Sequence, residues 1–316
     1  MPRYHVLHDT IYHYGAPVSL AQHLLHLVPR ETEQQHVLHH ELSIQPEPTE
    51  RRIRQNWFGT EEIHITVSEP HDTLRVLAAS TVDLQGRPAA HREAAGPAWE
   101  EVVASLARYP GDAPLDAVEC TQASPLVPTA ESLRAWANPS FKAGRPLLEA
   151  ARELNSRLFE EFTFDPKATT VGTSVLQVLQ QKRGVCQDFT HLMLGALRSL
   201  GLAARYMSGY LLTSPPPGKP RLIGADASHA WIALWCPGHG WVEFDPTNDC
   251  QPQDEHIVLG WGRDFTDVTP MRGVILGGAD HEVTVEVTVM PAELHSLDSL
   301  IEEVSNRQDA SEPEAA

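Results

Sequence analysis

The stretch KRGVCQDFTHLMLGALRSLGLAARYMSGYLL (182–212), followed by ASHAWIALWCPGHGWVEFDPTND (227–249), decides the reading of this chain. From Cys186 onward the apolar residues Phe189, Leu192, Met193, Ala196, Leu197 and Leu200 recur at helical spacing. Gly201 ends the helix, and ARYMSGYLL continues as a strand. Cys186 therefore falls in the first turn of a strongly apolar helix. Amide N–H groups in that turn have no intrahelical acceptor, so they stabilise a thiolate. The backbone amides of Cys186 and Gln187 are also placed to donate to an oxygen gaining negative charge at an attacked carbonyl. Gly184 lets the approaching chain bend, turning the sulfur toward a cleft. The plainer reading of Cys186, a small buried hydrophobe, holds for most free cysteines, so the helix alone does not make it a nucleophile.

The second stretch supplies the partners. SHAWIALW alternates, with His229, Trp231, Ala233 and Trp235 on one face and Ala230, Ile232 and Leu234 on the other. CPGHG makes a turn, and WVEFDP returns with Trp241, Glu243 and Asp245 on one face. Trp235 opposite Trp241 places Asp245 opposite Trp231, one diagonal step from His229. A carboxylate there can reach the imidazole and hold its tautomer and ring plane. The expected roles follow: Cys186 attacks, His229 holds and later delivers the proton, and Asp245 orients His229. The competing reading is a satisfied core histidine beside an unrelated acid. Glu243 shares the face of Asp245 but lies farther from His229. Asp188, in the same helical turn as Cys186, is expected to cap the helix. Trp231, Trp235 and Trp241 are candidate walls of the cleft.

With the third stretch, HIVLGWGRDFTDVTPMRGVILGG (256–278), these segments resemble the bacterial transglutaminase-like proteins of the papain-like cysteine-enzyme superfamily. The resemblance extends over almost the whole chain, because such proteins carry a β-rich N-terminal domain ahead of the catalytic one. It implies an α+β fold: a papain-like, transglutaminase-like core with a cysteine-bearing helix packed on an antiparallel sheet, preceded by a β-sandwich-like domain. Transferred residue by residue, the nucleophile falls on Cys186, the base on His229 and the orienting acid on Asp245. The resemblance also implies a peptide or protein substrate and a choice between acyl transfer to an amine and hydrolysis. By the same resemblance, ATP-grasp-type and α-helical proteins are expected partners.

Composition narrows the classes further. The chain has 316 residues, 41% apolar and 21% charged, a soluble globular balance with room for two domains. Its formal net charge is −18, which repels nucleic-acid phosphates and gives no reason to approach an anionic membrane. RRIR at 51–54 is the best basic run, and a solvated strand face is the simpler account of it. Cys120, Cys186, Cys236 and Cys250 form no CxxC pair, so neither a zinc cluster nor a disulfide framework is expected. No DxDxDG-like calcium loop is present, and no cofactor or metal is expected. No apolar run approaches the roughly 18 residues needed to span a bilayer. MPRYHVLHDTIYHY lacks the features of a signal peptide, so a cytoplasmic setting, which keeps thiols reduced, is expected.

Residues 1–95 read as β-structure, with YHVLHDTIYHY, VLHHELSIQP, EIHITVSE and TLRVLAASTVDLQG as its strands. The histidines His5, His8, His13, His23, His26, His36, His39 and His40 have no recognisable ligand spacing, so surface or edge-of-core positions are expected. Residues 96–145 read as a proline-rich connection with short helices such as PAWEEVVASLARY. Residues 146–290 read as the catalytic domain. Its helix starts near Pro146, a second is capped by Thr173 or Ser174, and HEVTVEVTVM (281–290) is a late strand. The tail 291–316 has seven acidic residues and one basic residue, and is expected to be largely disordered, above all in its last ten residues or so.

Overall fold

The computed structural model describes all residues except 109, 110, 112, 214–222, 225 and 310–316. The first five strands are β1 (Arg3–Leu25), β2 (Gln35–Gln45), β3 (Glu50–Gln55), β4 (Glu61–Val67) and β5 (His71–Leu84). Four short helices follow: α1 (Ala89–Glu93), α2 (Trp99–Leu106), α3 (Leu115–Glu119) and α4 (Glu131–Ala137). Then come α5 (Leu147–Glu161), β6 (Thr163–Phe164), α6 (Val175–Gln181), β7 (Arg183–Gly184) and α7 (Cys186–Ser199). The chain continues through β8 (Ala204–Leu211), β9 (Ser228–Cys236), β10 (Gly240–Phe244) and β11 (His256–Gly262). It ends in β12 (Met271–Gly277), β13 (His281–Pro291) and α8 (Leu297–Asp309).

The architecture is α+β, and its first half is one curled antiparallel sheet, a half-barrel, rather than two stacked sheets. Strand β1 is its spine. The N-terminal part of β1 pairs with β5 and β13, and the C-terminal part pairs with β4 and β12. Register breaks between His13 and Val18, and between Val18 and Leu20, separate the two parts. Such irregularities bend a strand and increase its twist, and here they let one strand serve two sets of neighbours.

Two of those neighbours come from the far end of the chain. Residues 271–291 pair with β1 and so complete the first sheet instead of closing a 146–290 catalytic unit. Without β12 and β13, β1 would present an open edge of unpaired N–H and C=O groups. The tail departs from expectation too. Leu297, Leu300, Ile301 and Val304 form one apolar stripe of α8, which packs on Leu7, Leu77, Ala79 and Met290. The seven acids masked that stripe at the sequence level. Residues 310–316, the rest of the expected disordered end, lie outside the described residues.

Residues 4–11 of β1 are buried on both faces. Leu7 lies under α8, while Tyr4 and Val6 pack against Tyr210, Ile257 and Leu259 of the second half. The His8 and Tyr210 side chains share a hydrogen bond of 2.9 Å across that boundary. His5, His8, His23 and His26 are thus buried rather than surface residues. RRIR forms the exposed edge strand β3, in which Arg52 pairs with Glu50 and Arg54 with Glu62.

The second half packs α7 between the other helices and a four-stranded antiparallel sheet of order β10-β9-β8-β11. Every α7 residue from Asp188 to Arg198 is buried, as an apolar central helix requires. The expected caps are present in part: Ser174 and Gln177 form a capping box at the start of α6. That helix ends on Lys182 in the left-handed conformation. No helix among the described residues is long and apolar enough to cross a membrane.

Candidate active site

Three local devices bring the sequence-predicted residues to one end of the second sheet. The first delivers Cys186. Short strands β6 and β7 pair in parallel and fix the segment just before the helix. Asp188 then accepts the Val185 N–H at 2.8 Å and the Thr169 hydroxyl at 2.6 Å. Its carboxylate caps the first turn, leaving the Cys186 and Gln187 amides as the turn's next donors. Gly184 does not have a positive φ, so tight bending is not its purpose. A Cβ on it would lie 2.7 Å from Asp188 Oδ2, and the missing side chain makes room for the cap.

The second device is the β9–β10 hairpin. Trp241 pairs with Trp235, Glu243 with Ala233 and Phe244 with Ile232, the register the alternation predicts. The third is the turn after β10. The Asp245 Oδ1 accepts the backbone N–H groups of Thr247 and Asn248 at 2.9 and 3.3 Å, an Asx-type turn begun by Asp-Pro. Asn155 of α5 ties the turn down by donating to the Asp245 carbonyl and to Asp249 Oδ1.

These devices set His229 Nε2 2.7 Å from Asp245 Oδ2. Cys186, at the start of α7, acts on the same imidazole and helps to raise it. With Nε2 engaged by the carboxylate, Nδ1 is the nitrogen left for the sulfur. Burial opposes charge on His229, but the hydrogen bonds and negative charges of Asp245 and Cys186 outweigh it and raise the imidazole to about 10. Asp245 is fully buried. Its burial is likewise outweighed by hydrogen bonds from His229 and His256, which hold the carboxyl far below the ordinary range. The arrangement is suited to keeping the His229 imidazole charged beside an ionised Asp245.

The tryptophans fall at different depths. Trp231 is completely buried, stacks on His229 at 6.0 Å between centroids and donates its indole N–H to Glu243 at 2.7 Å. Trp235 is buried in the core shared with α7. Trp241 is partly buried beneath the Arg205 guanidinium, 4.3 Å from the ring centroid. Trp231 and Trp235 therefore present little surface to a cleft. Glu243 is held by two contacts from Arg87, at 3.1 and 3.2 Å, which accounts for its absence from the His229 cluster.

Two further residues converge on Asp245 Oδ2 that spacing did not single out. Asn248 donates its side-chain amide at 2.7 Å, and His256 Nε2 lies 3.0 Å away. His256 opens β11, two strands from β9, and Gly209 of the strand between them leaves room for the Trp231 ring and the Ile257 carbonyl beside it. A Cβ on Gly209 would come within 1.9 Å of the Ile257 carbonyl and 2.8 Å of the Trp231 ring. The sequence signal was a glycine inside a strand pattern, facing His229 across the sheet. His229, Asp245 and His256 place three donor atoms within 4.8 Å of one another, and both imidazoles use Nε2 on the same carboxylate oxygen.

Comparison with known proteins agrees with this architecture. The bacterial transglutaminase-like N-terminal region family matches residues 4–83, and the transglutaminase-like superfamily core matches 134–246. An uncharacterised protein of Mycobacterium tuberculosis is 40% identical over 303 residues, covering 93% of this chain and 95% of that one. One of Mycobacterium leprae is 32% identical over 296 residues, covering 91% and 99%. A 93-residue stretch, 29% of this chain and 14% of the other, is 30% identical to a protein-glutamine gamma-glutamyltransferase of Pseudomonas aeruginosa. A crystal structure of a candidate cysteine protease from Cytophaga hutchinsonii shares the fold, with a TM-score of 0.70 and 20% identity over 91% of this chain and 90% of that one. The chain therefore belongs to the bacterial transglutaminase-like family, with a core of the transglutaminase-like superfamily.

Proposed function

We propose that the protein is a thiol-dependent acyl-transfer enzyme acting at a glutamine-type or peptide amide through Cys186, His229 and Asp245. The observation that carries this reading is the buried His229–Asp245 hydrogen bond of 2.7 Å, with Cys186 at a helix start acting on the same imidazole. In the first half-reaction the Cys186 sulfur bonds to the carbonyl carbon. The carbonyl electrons move to oxygen, and the Cys186 and Gln187 N–H groups donate hydrogen bonds to that oxyanion. Collapse of that intermediate breaks the C–N bond, and the leaving nitrogen takes the proton held by His229. A thioester remains. An amine or water then attacks it and returns a proton to His229, and the thiolate leaves.

Transfer to an amine is supported by the name of the Pseudomonas relative over the matched stretch. Hydrolysis as a peptidase or amidase uses the same first half-reaction. A noncatalytic binding module would need no reactive thiol. The family resemblance adds ATP-grasp-type and α-helical proteins as proposed partners, and a thiol-based mechanism suits a reducing, cytoplasmic setting.

The test is alkylation of Cys186 with iodoacetamide at neutral pH, in the wild-type protein and in His229→Ala. Slower labelling of His229→Ala is expected, and equal rates would remove the catalytic reading. Incubation of a glutamine peptide with and without a primary amine then separates transfer, read as amine incorporation, from hydrolysis, read as glutamate.

A further inference from the structure

Asp245 Oδ2 serves two imidazoles, and the second has no part in the reaction just described. His256 is buried, and its Nε2 lies 3.0 Å from the oxygen that His229 contacts at 2.7 Å. An ionised carboxylate only accepts hydrogen bonds, so both rings donate to it through Nε2–H. The His256 Nδ1 is buried without a hydrogen-bond partner. A buried ring with one unpartnered nitrogen is a cost to the fold unless the bond at its other nitrogen compensates. The Trp231 indole stands edge-on to His256, with centroids 5.2 Å apart, and also stacks on His229, so one side chain sets both ring planes.

We propose that His256 is a positioning residue: its Nε2–H holds the Asp245 carboxylate in the rotamer that presents Oδ2 to His229. This rests on the proposed Cys186–His229–Asp245 reading and assigns a task within it. The carboxylate has three side-chain donors on Oδ2, from His229, His256 and Asn248, and two backbone donors on Oδ1. Asn248 is exposed and lies on the same short turn as Asp245, so it moves with the acid it contacts. His256 belongs to a separate strand in the core and is the donor that anchors Asp245 to the sheet. The charged and titratable groups around His256 are Asp245 and His229 at this end of the sheet, Glu243 with its partner Arg87 on the Trp231 side, and Cys250 beyond Asp245.

The experiment compares Cys186 labelling rates against pH in wild type, His256→Phe, His256→Gln and His229→Ala. Phenylalanine keeps the ring against Trp231 but cannot donate; glutamine carries an N–H close to the place of Nε2. His256→Phe should label roughly 10- to 100-fold more slowly at neutral pH, the loss expected when a hydrogen bond to a charged group is removed. Its acid limb should move to higher pH, because Asp245 loses a donor that favours its charged form. His256→Gln should recover most of the rate.

A wild-type profile for His256→Phe would overturn the proposal, as would equal losses in both His256 variants. If His229→Ala itself labels like wild type, the catalytic reading fails, and that outcome is separate from either of these. Nitrogen-15 histidine spectra of the wild-type protein give a check that needs no variant to fold. The Nε2–H tautomer is expected at His256, and an Nδ1–H tautomer would overturn the assignment.

Discussion

The carboxylate of Asp188 occupies the space in which a side chain on Gly184 would have to sit. A Cβ at Gly184 would lie 2.7 Å from Asp188 Oδ2 and 2.8 Å from its Cβ, and that same oxygen accepts the Val185 N–H. The smallest residue is thus required by the cap that holds the first turn of α7. Gly184→Ala should push Asp188 off the helix end, costing about 1–3 kcal/mol of stability. Labelling of Cys186 should slow as well, because the turn that aims it loosens. Chemical unfolding and iodoacetamide kinetics read the two effects, and a variant unchanged in both would show that the cap and the nucleophile are independent.

The four thiols should respond differently to alkylation. Burial pushes Cys120 and Cys236 up to about 11, and burial together with the charge of Asp245 pushes Cys250 up to about 12. Those three stay protonated and unreactive at neutral pH. Limited iodoacetamide treatment at pH 7 should therefore modify one residue, Cys186, as read by peptide mass spectrometry. Label appearing first at Cys120, Cys236 or Cys250 would contradict this.

Stability should fall on both sides of neutrality, for opposite reasons. Burial lowers His8, His23, His40 and His191 to about 4. Below about pH 6.5 the unfolded chain binds protons that these rings refuse, so stability drops as pH falls from there toward 4, by on the order of 3 kcal/mol per ring. His229 has the reverse sign. Its raised value of about 10 favours the folded state fully below about pH 6.5, and this contribution is lost as pH rises toward 10. Urea midpoints between pH 4 and 10 should trace a dome. A midpoint that stays level between pH 6.5 and 4 would argue against neutral buried histidines.

Helix α8 should contribute to stability despite its acidic sequence. Leu300 is fully buried against the half-barrel, so Leu300→Ala should cost about 2–5 kcal/mol. The helix lies on the face of β1 away from the second sheet, so Cys186 labelling of the folded variant should match wild type. A loss below about 0.5 kcal/mol would mean that the helix is only loosely held.

Local sequence carried much of the site. The spacing from Cys186 to Gly201 marked the helix, and the alternation of SHAWIALW and WVEFDP, joined by a short turn, set the register that faces Trp235 to Trp241. Both signals are short-range: helical and strand periodicities repeat within a few residues, and a tight turn leaves little choice of pairing. What the local pattern could not contain was contact between residues far apart in the chain. Pairing of β12 and β13 with β1 depends on an edge that exists only once the sheet has formed. The apolar stripe of α8 acquires a partner only when Leu7 and Leu77 come together beneath it. His256 meets Asp245 from two strands away, where Gly209 leaves room for the Trp231 ring and the Ile257 carbonyl. Register and capping are decided within a few residues along the chain, whereas the second imidazole on Asp245 and the closing strands of the half-barrel depend on packing, which tertiary structure alone supplies.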